Sequence, residues 1–109
     1  MVNGPRKYPK EVQLNPEREP WPIVWRRNIP GKNVCGLCDS VERNIQLKLG
    51  EPQWHTFYYL IHEMLHAIES DYSFDIDHKV IYQLHEPLAN MIRLNLPAFL
   101  EICHTRKGV

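Results

Sequence analysis

The segment LIHEMLHAIES, residues 60–70, places His62 and His66 four positions apart, with Glu63 directly after the first histidine. On a helix, residues i and i+4 share a face one turn apart. Both imidazoles can then aim a nitrogen at one point, at the roughly 2.0–2.1 Å that zinc takes from histidine. Glu63, rotated by about 100° from His62, flanks such an ion instead of ligating it. Zinc lowers the pKa of a bound water towards ~7, and a carboxylate beside it takes the proton. H-E-x-x-H on a helix is thus a compact device for making hydroxide at neutral pH. The competing reading is a pair of structural histidines. Against it, the trio borders an apolar stripe, where polar groups without partners are costly to bury.

A catalytic zinc needs a third protein ligand and an open position. Downstream of the motif stand Glu69, Asp71, Asp75, Asp77, His78, His85 and Glu86. Glu69, three residues past His66 on the same helix, is poorly aimed to close a tetrahedron. The aspartates suit loops and caps. Glu86, twenty positions beyond His66, allows the chain to leave one helix, turn, and return a carboxylate opposite the imidazoles. It is the expected third ligand, with His78 next and His85 third. Pro87 beside it marks an irregular point in a helix. Tyr72, His78, Tyr82 and His85 are the candidate donors to an oxyanion.

These groups need elements to hold them. After Gly50, Pro52 suits a helix start. Trp54, Phe57, Tyr58, Ile61, Leu65 and Ile68 then form one apolar stripe, predicting a helix to about Ser70. SDYSFD reads as a loop. Asp75 or Asp77 caps a second helix whose buried face is Ile76, Val80, Ile81, Leu84, Leu88, Met91, Ile92 and Leu96, interrupted at Pro87. A short helix over 97–104 follows. Upstream, residues 23–27 suit a strand stopped at Pro30-Gly31. Residues 34–38 and 43–49 read as the arms of a hairpin turning at 39–42. In the second arm Ile45, Leu47 and Leu49 alternate with Asn44, Gln46 and Lys48, the period of a strand with one wet face. Six of the nine prolines fall in residues 1–30, so 1–20 reads as an extended, irregular lead-in. Strands first and helices second predict an α+β fold: a sheet or hairpin of about three strands, then the H-E-x-x-H helix and a second ligand-bearing helix.

With 109 residues, 43% hydrophobic and 24% charged, the chain fits one globular domain, 1–109. No apolar run reaches the roughly 18 residues a membrane span needs, and the start carries no signal-peptide pattern. The expectation is a cytoplasmic protein without membrane contact. Net charge is zero, but residues 1–50 carry nine Lys/Arg against five Asp/Glu, and residues 51–109 carry four against eight. The nine basic groups are scattered and form no stripe, so no nucleic-acid partner is expected. Cys35, Cys38 and Cys103 do not form a secreted disulfide framework. Cys35-x-x-Cys38 reads as two small apolar residues in a hairpin arm. The alternative is a separate structural zinc shared with Cys103 or His104. Trp21, Trp25 and Trp54 are most simply core.

HEMLHAIES…IDHKVIYQLHEPLANMIRLN resembles the zincin-like metallopeptidases. GLCDSVERNIQLKLG…FYYLIHEMLHAIE resembles the small stand-alone metallopeptidase domains common in bacteriophages and mobile elements. These are cousins of repressor-cleaving domains and, more distantly, of SprT-like proteases. The similarity covers about residues 33–96, which makes that stretch the metallopeptidase-like core. The resemblance implies His62, His66 and Glu86 as zinc ligands and Glu63 as general base. SprT-like proteins use a third histidine instead, and His78 stands near where it would fall. The implied function is zinc-dependent hydrolysis of a peptide bond in a protein or peptide substrate, in the host cytoplasm for a phage-encoded chain. The alternative is a non-catalytic, zinc-stabilised module that binds another protein.

Overall fold

The computed structural model describes residues 4–103. Four strands precede three helices: β1 (Glu11–Val12), β2 (Trp21–Arg26), β3 (Gly36–Asp39), β4 (Asn44–Lys48), α1 (Gln53–Tyr72), α2 (His78–Leu94) and α3 (Leu96–Ile102). The architecture is the expected α+β, with one strand more than the sequence suggested. The sheet is mixed, in the order β1-β2-β4-β3. β2 runs parallel to β4, while the β1–β2 and β3–β4 pairs are antiparallel. None of the described helices is long and apolar enough to cross a membrane.

The extra strand comes from the proline-rich lead-in. Val12 pairs with Trp21, and the Ile23 N–H donates to Lys10 O at 2.8 Å. The Trp25 indole N–H donates to Pro9 O at 2.9 Å, and the Tyr8 ring meets Trp25 edge-on at 4.7 Å. The segment is extended as expected, but it is fastened to the sheet. The one proline within a described strand, Pro22, lies second in β2 opposite Glu11 of β1, near the strand start, where a missing donor interrupts the ladder least.

The hairpin forms close to where the pattern put it. Asp39 builds its turn, accepting the N–H groups of Val41 at 3.1 Å and Glu42 at 3.0 Å. Arg43 completes it in the left-handed region, φ 59°. The wet face expected for β4 is not wet. Ile45, Gln46 and Leu47 are all buried, and of the face expected to be wet only Asn44 and Lys48 keep partial exposure. Gln46 is satisfied there by Arg26, which donates to its Oε1 at 2.8 Å. Gly50, at φ +88°, then turns the chain from β4 into α1.

α1 packs on β3 and β4, and α2 packs on α1. The core is Trp21, Ile23, Ile45, Leu47 and Ala67, joined by Tyr59, Leu60 and Met64 from α1. Each large apolar side chain buried there contributes about 1.5–3 kcal/mol. The single stripe read from the sequence was therefore only part of the helix. α1 is covered on more than one side, and Tyr59, Leu60, Met64 and Ala67 face the sheet. Trp54, expected in the core, is 57% exposed.

α1 runs two residues past Ser70 and ends at Ser73, whose left-handed backbone lets its N–H reach Glu69 O. Asp77 caps α2 by accepting the Lys79 N–H at 2.9 Å. α2 continues through Pro87 to Leu94 instead of being interrupted. The missing N–H costs one helical hydrogen bond, and Ile81 and Ala89, buried on either side of it, hold the helix together. Of the face expected to be buried, Val80, Leu84, Met91 and Leu96 are exposed. α2 covers α1 along a narrower strip than the periodicity implied. α3 matches the short terminal helix; His104, its expected last residue, lies outside the described residues.

Candidate metal centre

α1 presents His62 and His66 on one face, their ring centroids 5.1 Å apart. α2 begins at His78, whose ring lies 4.9 Å from that of His66 and 5.8 Å from that of His62. One ligand atom from each of the three histidines falls within 4.8 Å of the others. Glu86 does not join them. The reason lies in the direction of α2. His78 meets His66, His85 meets His62, and Asn90 meets Tyr58, so α2 runs back along α1. By residue 86 it has passed His62, and Glu86, one step of about 100° beyond His85, is exposed. The histidine ranked second in the sequence reading is the one that converges.

Two of the imidazoles are held by neighbours. His66 Nδ1 lies 3.1 Å from Glu69 Oε1. An ionised carboxylate only accepts, so Nδ1 carries the proton and the Nε2 lone pair is free. Glu69 is itself anchored, its Oε2 accepting the Ile76 N–H at 2.6 Å. Glu69 thus takes the place of an orienting group, a role the sequence reading did not assign to it. His62 Nδ1 faces His85 Nδ1 at 2.9 Å, and a proton on the His62 side again leaves its Nε2 free. Burial, with the neighbouring His66, His85 and His78, pushes the His62 pKa down to about 4. The ring is neutral at pH 7, as a ligand must be.

Glu63 is 5% exposed, and burial pushes its pKa up to about 7. That is the range in which a carboxylate exchanges protons efficiently at neutral pH. Its side chain lies against β3: a Cβ built on Gly36 would stand 2.9 Å from Glu63 Oε2.

These groups line an open cleft of about 670 Å³ between β3 and the two helices. Residues 32–38 form one wall; Tyr59, His62, Glu63 and His66 of α1 line it with His78 and Tyr82 of α2. β3 is hydrogen-bonded to β4 on one side only, so its other edge is the end of the sheet. Tyr82, one of the candidate oxyanion donors, lines the cleft. It is 60% exposed, with its ring 4.8 Å from His62 and 4.9 Å from His78. Tyr72 is engaged elsewhere, donating to Leu14 O at 3.1 Å.

The other acidic candidates have other places. Asp71 is buried in a structural network with Trp21 and Arg43, Asp77 is the α2 cap, and Asp75 is exposed at the cleft. Cys38 packs against the core, and burial, then Glu63, push its thiol up to about 12. Cys38 thus packs as a small apolar residue. No family model, no curated protein and no solved structure matches the chain.

Proposed function

We propose that the chain is a zinc-dependent metallopeptidase, of zincin-like type, that hydrolyses a peptide bond in a protein or peptide substrate. The observation that carries this reading is the convergence of His62, His66 and His78 beside the buried carboxylate of Glu63, at the open edge of a strand. The donor set fits the ion: three imidazoles, two of them oriented through Nδ1, are a borderline-soft set of the kind zinc takes in catalytic sites. Zinc held there supplies Lewis acidity and lowers the pKa of water.

The remaining work falls to the chain's own residues. The edge of β3 pairs with an extended peptide, backbone to backbone, and aligns it along the cleft. Glu63 takes a proton from the attacking water as its oxygen bonds to the carbonyl carbon. It returns that proton to the leaving nitrogen as the C–N bond breaks. The Tyr82 hydroxyl donates to the oxygen that gains negative charge. Glu69 and His85 hold the His66 and His62 rings in register.

The test is Glu63→Gln in zinc-loaded protein, assayed on an unfolded protein substrate. Zinc content is expected to stay unchanged while cleavage falls by about 10²–10⁴-fold, the usual worth of a general base. Undiminished cleavage by the variant overturns the mechanism. A wild-type chain that retains zinc yet cuts nothing points to the non-catalytic binding module instead.

A further inference from the structure

A second group of metal-ligating side chains lies outside this centre. Cys35 stands at the entry to β3, Glu51 in the link between β4 and α1, and His55 in the first turn of α1. One ligand atom from each lies within 4.8 Å of the other two. In a tetrahedral zinc shell, sulfur, nitrogen and oxygen ligands sit roughly 3.4–3.6 Å apart, as follows from their bond lengths. The Glu51 and His55 side chains are 23% and 25% exposed, which leaves them room for the small rotations that close the difference.

Three features of the fold bring these distant residues together. The Lys48 N–H donates to Cys35 O at 3.1 Å, which sets Cys35 beside the end of β4. Gly50 reverses the chain at φ +88°, returning Glu51 to the same side. His55 follows four residues later and meets Glu51 Oε1 through Nδ1 at 2.6 Å. An i,i+4 pair of that kind requires no thiol.

We propose that Cys35, Glu51 and His55 form a second metal site, for a thiophilic divalent cation of the zinc class, that fastens the entry of β3 to the start of α1. Thiolate with imidazole and carboxylate selects such a cation over magnesium or calcium, which take oxygen shells. Binding displaces the thiol proton, and water completes the shell on the half-exposed side. The site shares no ligand with the first. His55 and His62 are seven residues apart, about 10 Å along the helix. The Tyr59 ring stands between them, 4.8 Å from His55 and 6.3 Å from His62. The clamp joins two of the elements that wall the cleft, β3 and α1, and is independent of the peptidase reading.

Cobalt reports directly on thiolate ligation. The full chain, stripped with chelator and loaded with Co²⁺, is expected to bind two equivalents and to show a thiolate-to-cobalt charge-transfer band. Cys35→Ser and His55→Ala each reduce the count to one and abolish the band. His66→Ala also loses one equivalent but keeps the band, and Cys38→Ser keeps both. Circular dichroism establishes that each variant is folded; should Cys35→Ser fail to fold, His55→Ala carries the same test. Absence of the band from the wild type, or a band lost in Cys38→Ser and retained in Cys35→Ser, overturns the proposal. A wild type that shows the band but only one equivalent, unaffected by His66→Ala, supports this site and counts against the first.

Discussion

A Cβ on Gly36 would stand 2.9 Å from Glu63 Oε2 and 3.1 Å from Glu63 Cγ. Here the absence of a side chain is what leaves space for the carboxylate. Gly36→Ala is therefore expected to push Glu63 away from its position while leaving the three imidazoles in place. Misplacing a catalytic group by about 1 Å costs on the order of 10²-fold in rate. Zinc content should stay at the wild-type level while kcat/KM on a peptide substrate falls by one to two orders of magnitude. Unchanged kcat/KM would mean that the strand yields instead. The placement of His62, Glu63 and His66 together was readable from three letters and two spacings, because i,i+4 neighbourhood is a property of any helix. The tight approach of Gly36 was not readable, since it joins residues twenty-seven positions apart.

At the scale of elements, the end of α1 does two jobs at once. Glu69 holds His66 through Oε1 and the first residues of the α1–α2 link through the Ile76 N–H. Carboxylates that orient ligating histidines are worth about 10–100-fold in metal affinity. Glu69→Gln is expected to weaken zinc binding by that factor, measured by competition with a chromophoric chelator. His66 would remain in place but lose the acceptor that fixes its tautomer. An unchanged affinity would reduce Glu69 to a loop anchor. Spacing along the helix marks Glu69 only as a poorly aimed direct ligand. Its actual contact is with the ring three residues before it.

Across the whole molecule, Asp71 ties α1 to the sheet. Its carboxylate accepts from the Trp21 indole at 2.9 Å and from Arg43 at 2.7 and 2.9 Å, with its side chain fully buried. Burial alone would raise its pKa, but the hydrogen bonds from Trp21 and Arg43 outweigh it and hold the group below the usual carboxylate range. The unfolded chain then takes up the proton first as pH falls. The stabilisation from Asp71 is present above the ordinary carboxylate pKa and is lost as pH drops through the lower folded value. Asp71→Ala is expected to lower unfolding free energy at pH 7 by about 3 kcal/mol, as when a buried ion pair loses one partner. The gap between variant and wild type should narrow on acidification. Urea unfolding at neutral pH and below pH 4 checks both; a gap that does not change with pH would show that packing, not charge, is what the mutation removes.

The sequence by itself determined what is local. It specified the two α1 imidazoles with their flanking carboxylate, the β3–β4 hairpin around Asp39, a cap for α2 at Asp75 or Asp77, and an order of strands then helices. Each follows from interactions within about four residues or from a repeating period. Only the tertiary structure decided what depends on how elements lie against each other. It brought His78 to the imidazoles in preference to Glu86, because α2 runs back along α1 and reaches His62 before residue 86. It buried Gln46 on the second face of β4, exposed Trp54, and set Cys35 beside Glu51 and His55. Spacing along the chain measures rotation about one axis. It carries no information on the distance or direction between two axes, and ligands drawn from different elements depend on both.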